Sequence, residues 1–161
     1  MKKIQQILAH RDYKKYLVKI QAYEEEREFC KHDMTHFLDV ARIACILNLE
    51  ENLKIDKEVI YAAAVLHDIG RWVEYKREGG ISHACSSAVL ADFILTDIGG
   101  FSESEVVDIM VAIIMHRDSD TASLKNLAGI LYRADKLSRM CMFCSAHELC
   151  DKVVKNGQVL V

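Results

Sequence analysis

Proline is absent from all 161 residues, and glycine occurs only seven times. A many-stranded sheet needs both residues to punctuate its turns, whereas long helices are broken by them, so the scarcity points away from β structure. With 51% hydrophobic and 28% charged residues, the composition fits an all-α domain. No apolar run approaches the ~20 residues needed to span a bilayer, which leaves no expected membrane partner. The opening stretch "MKKIQQILAHRDYKKYL" interrupts its apolar residues with charge too often for a signal peptide, and a cytoplasmic location is the expectation. No basic stripe stands out: 21 Lys and Arg are scattered against 24 Asp and Glu, for a net charge of −3. That balance excludes the footprint of a nucleic-acid duplex and leaves small anions as ligands. A Gly-rich phosphate cradle of the P-loop kind is also missing. The six cysteines sit in a mid-sized chain without an export signal, so reduced thiols are expected in place of a disulfide framework.

What is present is a set of apolar helical stripes that end in polar residues. Neither repeat nor linker divides residues 1–161, which read as one domain. The first thirty residues predict one or two amphipathic helices closing in the solvated run "EEERE". In "THFLDVARIACIL", His36, Val40, Ile43 and Leu47 fall on one helical face. Asp56 suits an N-cap, and Ile60, Ala63 and His67 share the next face. Within "AAAVLHDIGRW", Gly70 is expected to close that helix as a left-handed C-cap, with His67 and Asp68 in its last turn. After the turn signal "REGG", Ser82 can cap a helix beginning at His83 that runs through Ala84, Ala88, Ala91 and Leu95 to "DIGG". Ser102 and Glu105 form a capping box ahead of the stripe Val106, Ile109, Ile113, His116. Leu124, Leu127, Leu131 and Asp135 give the buried face of a last helix.

One histidine on an apolar face is ordinarily a hydrogen-bonded core residue. Here His36, His67, Asp68, His116 and Asp135 come from four helices, and two buried carboxylates demand a compensating partner. A divalent metal is such a partner, and mixed nitrogen and oxygen donors suit Mn, Fe, Co, Ni, Zn or Mg. The ordered set of His36, "HD" within "HDIG" at 67–70, His83, His116 and Asp135 within "RADK" resembles the HD-domain superfamily of metal-dependent phosphohydrolases. The likeness covers about residues 30–140.

The resemblance implies a helical bundle in which His36, His67, Asp68 and Asp135 hold one ion. His83 and His116 fall where dinuclear members hold a second, with Asp68 bridging. His32, one turn before His36 on the same face, is an alternative first ligand or a substrate contact, although "HFLDVA" is the better match to the family's helix. Arg71 stands where lysine commonly follows "HDIG", keeping the charge but changing the grip on a phosphate. The implied reaction is hydrolysis of a nucleotide or dinucleotide phosphate ester or anhydride by metal-activated water, with Asp68, Arg71 and Lys136 as catalytic residues. His32, Arg71, Arg117 and Arg139 are the expected substrate contacts. Small members that hydrolyse diadenosine tetraphosphate and related dinucleotides look closest in size and motif set. Two other readings use the same residues: a di-iron oxygenase, as a few superfamily members are, or a nucleotide-sensing module without turnover. A homodimer is compatible with all of them.

The segment 141–150, "CMFCSAHELC", spaces Cys141, Cys144, His147 and Cys150 by threes. On a regular helix these fan across about 180° and cannot share one ion. As a knuckle, three thiolates and His147 make a zinc site, or the cysteines hold an iron–sulfur cluster; as a helix, they are small core residues. Cys30, Cys45 and Cys85 read as ordinary buried residues.

Overall fold

Side-chain caps fix where most of the helices begin. Asp33 accepts a hydrogen bond from the His36 amide at 3.0 Å and starts α3, Met34–Glu50. Asp56 accepts from Glu58 at 2.7 Å and starts α4, Lys57–Leu66. Ser82 caps α6, His83–Ile98, and the reciprocal Ser102–Glu105 box opens α7, Glu103–Met115. Asn126 accepts from the Gly129 amide and starts α8, Leu127–Leu137. Each such cap stabilises its helix by about 1 kcal/mol. The remaining helices are α1 (Lys2–Ala9), α2 (Arg11–Tyr23) and the short α5 (Arg71–Lys76). Two 3-10 turns, Ser119–Ser123 and Cys141–Phe143, complete the order in this computed structural model, which describes residues 1–76 and 81–150. Among these the chain is all-α, with no strand. The "REGG" turn at 77–80 lies outside the described residues.

The bundle is built around α4. Val59, Ile60 and every residue from Ala62 to Leu66 are buried, and α1, α3, α6, α7 and α8 all pack against this helix. A helix apolar on all sides can only be central, and its run of alanines lets neighbouring backbones approach closely. On α3 the buried face is Phe37, Val40, Ala41, Ala44 and Leu47; Ile43 is only half-buried, so His36 sits at the margin of the stripe. In the N-terminal pair, Ile4, Ile7, Tyr13 and Ile20 are buried.

Four expectations are corrected. The α4 helix ends at Leu66, with His67 as its C-cap and Asp68 in the turn that follows. Gly70 takes no left-handed conformation, since only Gly99 and Gly100 have positive φ among the glycines described. Its requirement is close approach: a Cβ there would stand 2.4 Å from the Ser87 amide nitrogen and 2.6 Å from the Ser86 carbonyl carbon of α6. Leu124 precedes α8 in the connecting segment and contributes nothing to that helix's face. Finally, "EEERE" is not uniformly solvated, because Glu24 at its head is buried while Glu25 and Glu26 are exposed.

Candidate metal centre

Helix ends deliver most of the polar side chains to one buried point. His36 comes from the first turn of α3, His67 and His116 cap the C-termini of α4 and α7, and His83 opens α6. Asp135 projects from α8, and Asp68 from the turn after α4. Adjacent residues on a regular helix point about 100° apart, so ending the helix at His67 releases Asp68 to turn inward beside it. His32, in the connector before α3, joins them. Five of the chain's seven histidines meet here.

Each imidazole is anchored through Nδ1. His67 bonds the Ala64 carbonyl at 2.7 Å and His116 the Ile113 carbonyl at 2.6 Å. His36 meets the Ser138 hydroxyl at 3.2 Å, His32 meets Glu24 Oε1 at 2.7 Å, and His83 is held by the Glu74 carboxylate. A carbonyl oxygen only accepts, so Nδ1 of His67 and of His116 carries the proton, and Nε2 faces the centre. Asp68 presents its two oxygens to different histidines. Oδ1 lies 3.1 Å from His83 Nε2 and 3.4 Å from His116 Nε2, while Oδ2 lies 3.4 Å from His67 Nε2 and 3.7 Å from His32 Nε2. Asp135 Oδ1 stands 3.5 Å from His36 Nε2 and 4.0 Å from His67 Nε2.

Burial first, and then the neighbouring His67, push the His36 pKa down to about 3; burial likewise pushes His67 down to about 4. Both rings are therefore neutral near pH 7. Burial acts to raise Asp68, but His67, His116 and His83 outweigh it and hold the carboxyl well below the usual range. For Asp135, Arg139 and Lys136 overcome burial in the same way. Lone pairs of the neutral His36 and His67 imidazoles thus face carboxylate oxygens of Asp135 and Asp68. Among the described residues His36 Nε2, His67 Nε2 and Asp68 Oδ1 have no hydrogen-bond partner. Three overlapping triads, His32–His36–Asp68, His36–His67–Asp135 and His67–Asp68–His116, each bring their donor atoms within 4.8 Å of one another. A divalent cation fits this donor set and satisfies the orphaned atoms together.

The centre opens into a cavity of about 250 Å3 whose wall carries Arg27, Arg71, Arg117, Lys136 and Arg139. Arg71 is braced by the Tyr75 hydroxyl at 2.7 Å and donates to His83 Nε2 at 3.2 Å. Lys136 lies 2.6 Å from Asp135 Oδ2, and Arg139 Nη2 lies 3.2 Å from both Asp135 oxygens. Arg117 is half-exposed, 3.8 Å from Glu74. Every residue expected in the centre or against substrate is therefore gathered here. Glu24, Glu74, Tyr75, Ser138 and Arg27 were not anticipated: Tyr75 meets Glu24 and Ser138 meets His36 across long stretches of sequence, Glu74 reaches His83 from the neighbouring helix, and Arg27 joins only by lining the cavity.

The tail behaves differently. Cys141–Phe143 is a 3-10 turn followed by further turns, not an α-helix. No three of the cysteine sulfurs and His147 nitrogens lie within 4.8 Å of one another among the described residues. Of the other thiols, expected to be buried, Cys45 is half-buried and packs against the core, Cys30 is half-buried and Cys85 is exposed.

A profile of the HD domain matches residues 33–140, from the α3 cap to the end of the α8 region. An uncharacterized protein of Clostridium beijerinckii is 43% identical over 145 residues, covering 90% of this chain and 88% of that protein. No solved structure matches. With helices in the expected order and the His and Asp side chains converging on one point, the chain belongs to the HD domain family.

Proposed function

We propose that this chain is a metal-dependent phosphohydrolase acting on a nucleotide or dinucleotide phosphate ester or anhydride. The observation that carries the reading is the convergence of imidazole nitrogens on the two oxygens of Asp68, beneath a cavity walled by five cationic side chains. His36, His67, Asp68 and Asp135 would hold one ion, and His83 and His116 a second, with Asp68 shared between them. Divalent metal in such a site supplies Lewis acidity toward a phosphate oxygen and lowers the pKa of water.

The chain's own residues do the rest. Arg71, fixed by Tyr75 and Glu24, presents a rigid fork to phosphate oxygens. Lys136 and Arg139, now turned toward Asp135, are placed to offset charge that develops on the leaving oxygen. Arg117 at the half-exposed rim contacts the phosphates further along the substrate. His32 is directed by Glu24 at Asp68 Oδ2, where it adds a ligand or contacts the substrate. At about 250 Å3 the cavity suits the phosphate portion of a substrate, with the nucleoside projecting outward.

The test is phosphate or nucleotide release from a panel of nucleotides and dinucleoside polyphosphates with added Mn, Fe, Co, Ni, Zn or Mg. Turnover that disappears in His67→Ala and Asp68→Ala is the expected result. Silence with every metal and substrate, accompanied by oxygen consumption from the ferrous-loaded protein, would replace hydrolysis with the oxygenase reading; tight nucleotide binding without turnover would replace it with a sensing module.

A further inference from the structure

Both flanks of the matched HD region bring thiols to the same place. Cys30 lies in the connector between α2 and α3, three residues before the match begins, and Cys141, Cys144 and Cys150 follow its end. All four line one cavity of about 480 Å3, beside His36, Lys31 and Arg139. Cys30 and Cys150 also line the cavity of the metal centre, so these two thiols are shared between the cavities. All four are half-buried and reduced. Cys45 and Cys85 take no part in either cavity. His147 lines the larger one, but its Nδ1 lies 3.1 Å from Glu148 and its side chain is 39% exposed.

A tetrahedral zinc, with Zn–S bonds of about 2.3 Å, draws its sulfurs to within ~3.8 Å of each other. These sulfurs are not drawn together in that way, since no three fall within 4.8 Å. Thiols distributed around a roomy cavity match a polynuclear cluster, whose ligating corners stand apart. We propose that Cys30, Cys141, Cys144 and Cys150 hold an iron–sulfur cluster, with Cys30 and not His147 as the fourth ligand. The 3-10 turn gives the Cys141–Cys144 pair a short, rigid spacing, with the Cys144 amide bonded to the Cys141 carbonyl at 3.3 Å. The same cavity wall carries two cations, Lys31 and Arg139, and two carboxylates, Asp33 and Asp39. Binding exchanges four thiol protons for four bonds from cysteine sulfur to iron. The cluster's iron and inorganic sulfide come from outside the chain with their charges already set, so no residue is oxidised or reduced. The cluster would tie the segment after α8 to the one before α3 and so close the side of the centre that His36 and Arg139 line.

The full chain is purified anaerobically, reconstituted with ferrous and ferric iron and sulfide, and assayed for iron, acid-labile sulfide, visible absorption and paramagnetic resonance after reduction. Acid-labile sulfide with a broad visible band is expected in the wild type, in Cys85→Ser, in His147→Ala and in His67→Ala. The last of these loses only iron bound without sulfide, which keeps the outcome separate from that of the hydrolase reading. Cys30→Ser and Cys144→Ser should both lose the sulfide while retaining the wild-type helical circular dichroism. Zinc without sulfide after reconstitution, or undiminished sulfide in Cys30→Ser, would overturn the assignment.

Discussion

Glu74 grips His83 twice, through the backbone amide at 3.0 Å and through Nδ1, so it fixes both the start of α6 and the direction of the ring. Groups of this kind control a metal without touching it. Glu74→Gln is expected to weaken metal binding roughly 10–100-fold, as read by titration with a competing chelator. Unchanged affinity would mean that His83 is no ligand. Glu24 performs the matching service for His32, and its effect is visible in acid. Burial acts to raise its pKa, but hydrogen bonds from His32 and Tyr75 and the charge of His32 prevail, lowering it from 4.5 to about 2. A depressed carboxyl stabilises the fold above its unfolded pKa and loses that contribution as the pH falls through the folded one. The wild type should therefore exceed Glu24→Gln in stability near pH 7 by on the order of 2 kcal/mol. The gap should close as the pH drops from 4.5 toward about 2. Urea unfolding across that window checks it, and a gap that does not change with pH would count against the ionised pair.

At the scale of elements, the centre depends on how the turn after α4 meets α6. Gly70 lets the two backbones touch, and its amide donates to the buried Ser87 hydroxyl at 2.9 Å. Gly70→Ala would force the turn that carries His67 and Asp68 away from the helix that carries His83. Overpacking against backbone should destabilise the protein by about 2 kcal/mol or more and lower metal content in parallel. Thermal unfolding and elemental analysis of the same sample test both halves. A variant that binds metal normally would show the turn to be slack. This is also where sequence reading fell short. A glycine after an apolar run signals a helix end, but left-handed φ and a need for close approach leave the same letter in the sequence. Only the partner helix distinguishes them.

For the molecule as a whole, periodicity and caps made the helical order legible, because Asp56, Ser82 and the Ser102–Glu105 box act locally. The candidate centre was legible for a related reason: a His or Asp that ends an apolar stripe is carried inward by its own helix. What stayed hidden was pairing across long separations. Glu24 looked like one more charge in an acidic run, Cys30 like a lone core thiol, and Ser138 lies 102 residues from the His36 that it meets. Such contacts exist only once the bundle closes, and closure is what brings together donor atoms that could hold a cation. Metal should then stabilise the native state alone, by about 2.7 kcal/mol at a hundredfold excess over Kd. For a domain of this size each kcal/mol moves Tm by roughly 2–4 °C, so added Mn or Co should raise Tm by roughly 5–11 °C above the chelator-treated protein. His36→Ala combined with His67→Ala removes a donor from each of the three triads and should abolish the shift. If the double variant gains as much as the wild type in the same scanning calorimetry, the stabilising ion binds somewhere other than this centre.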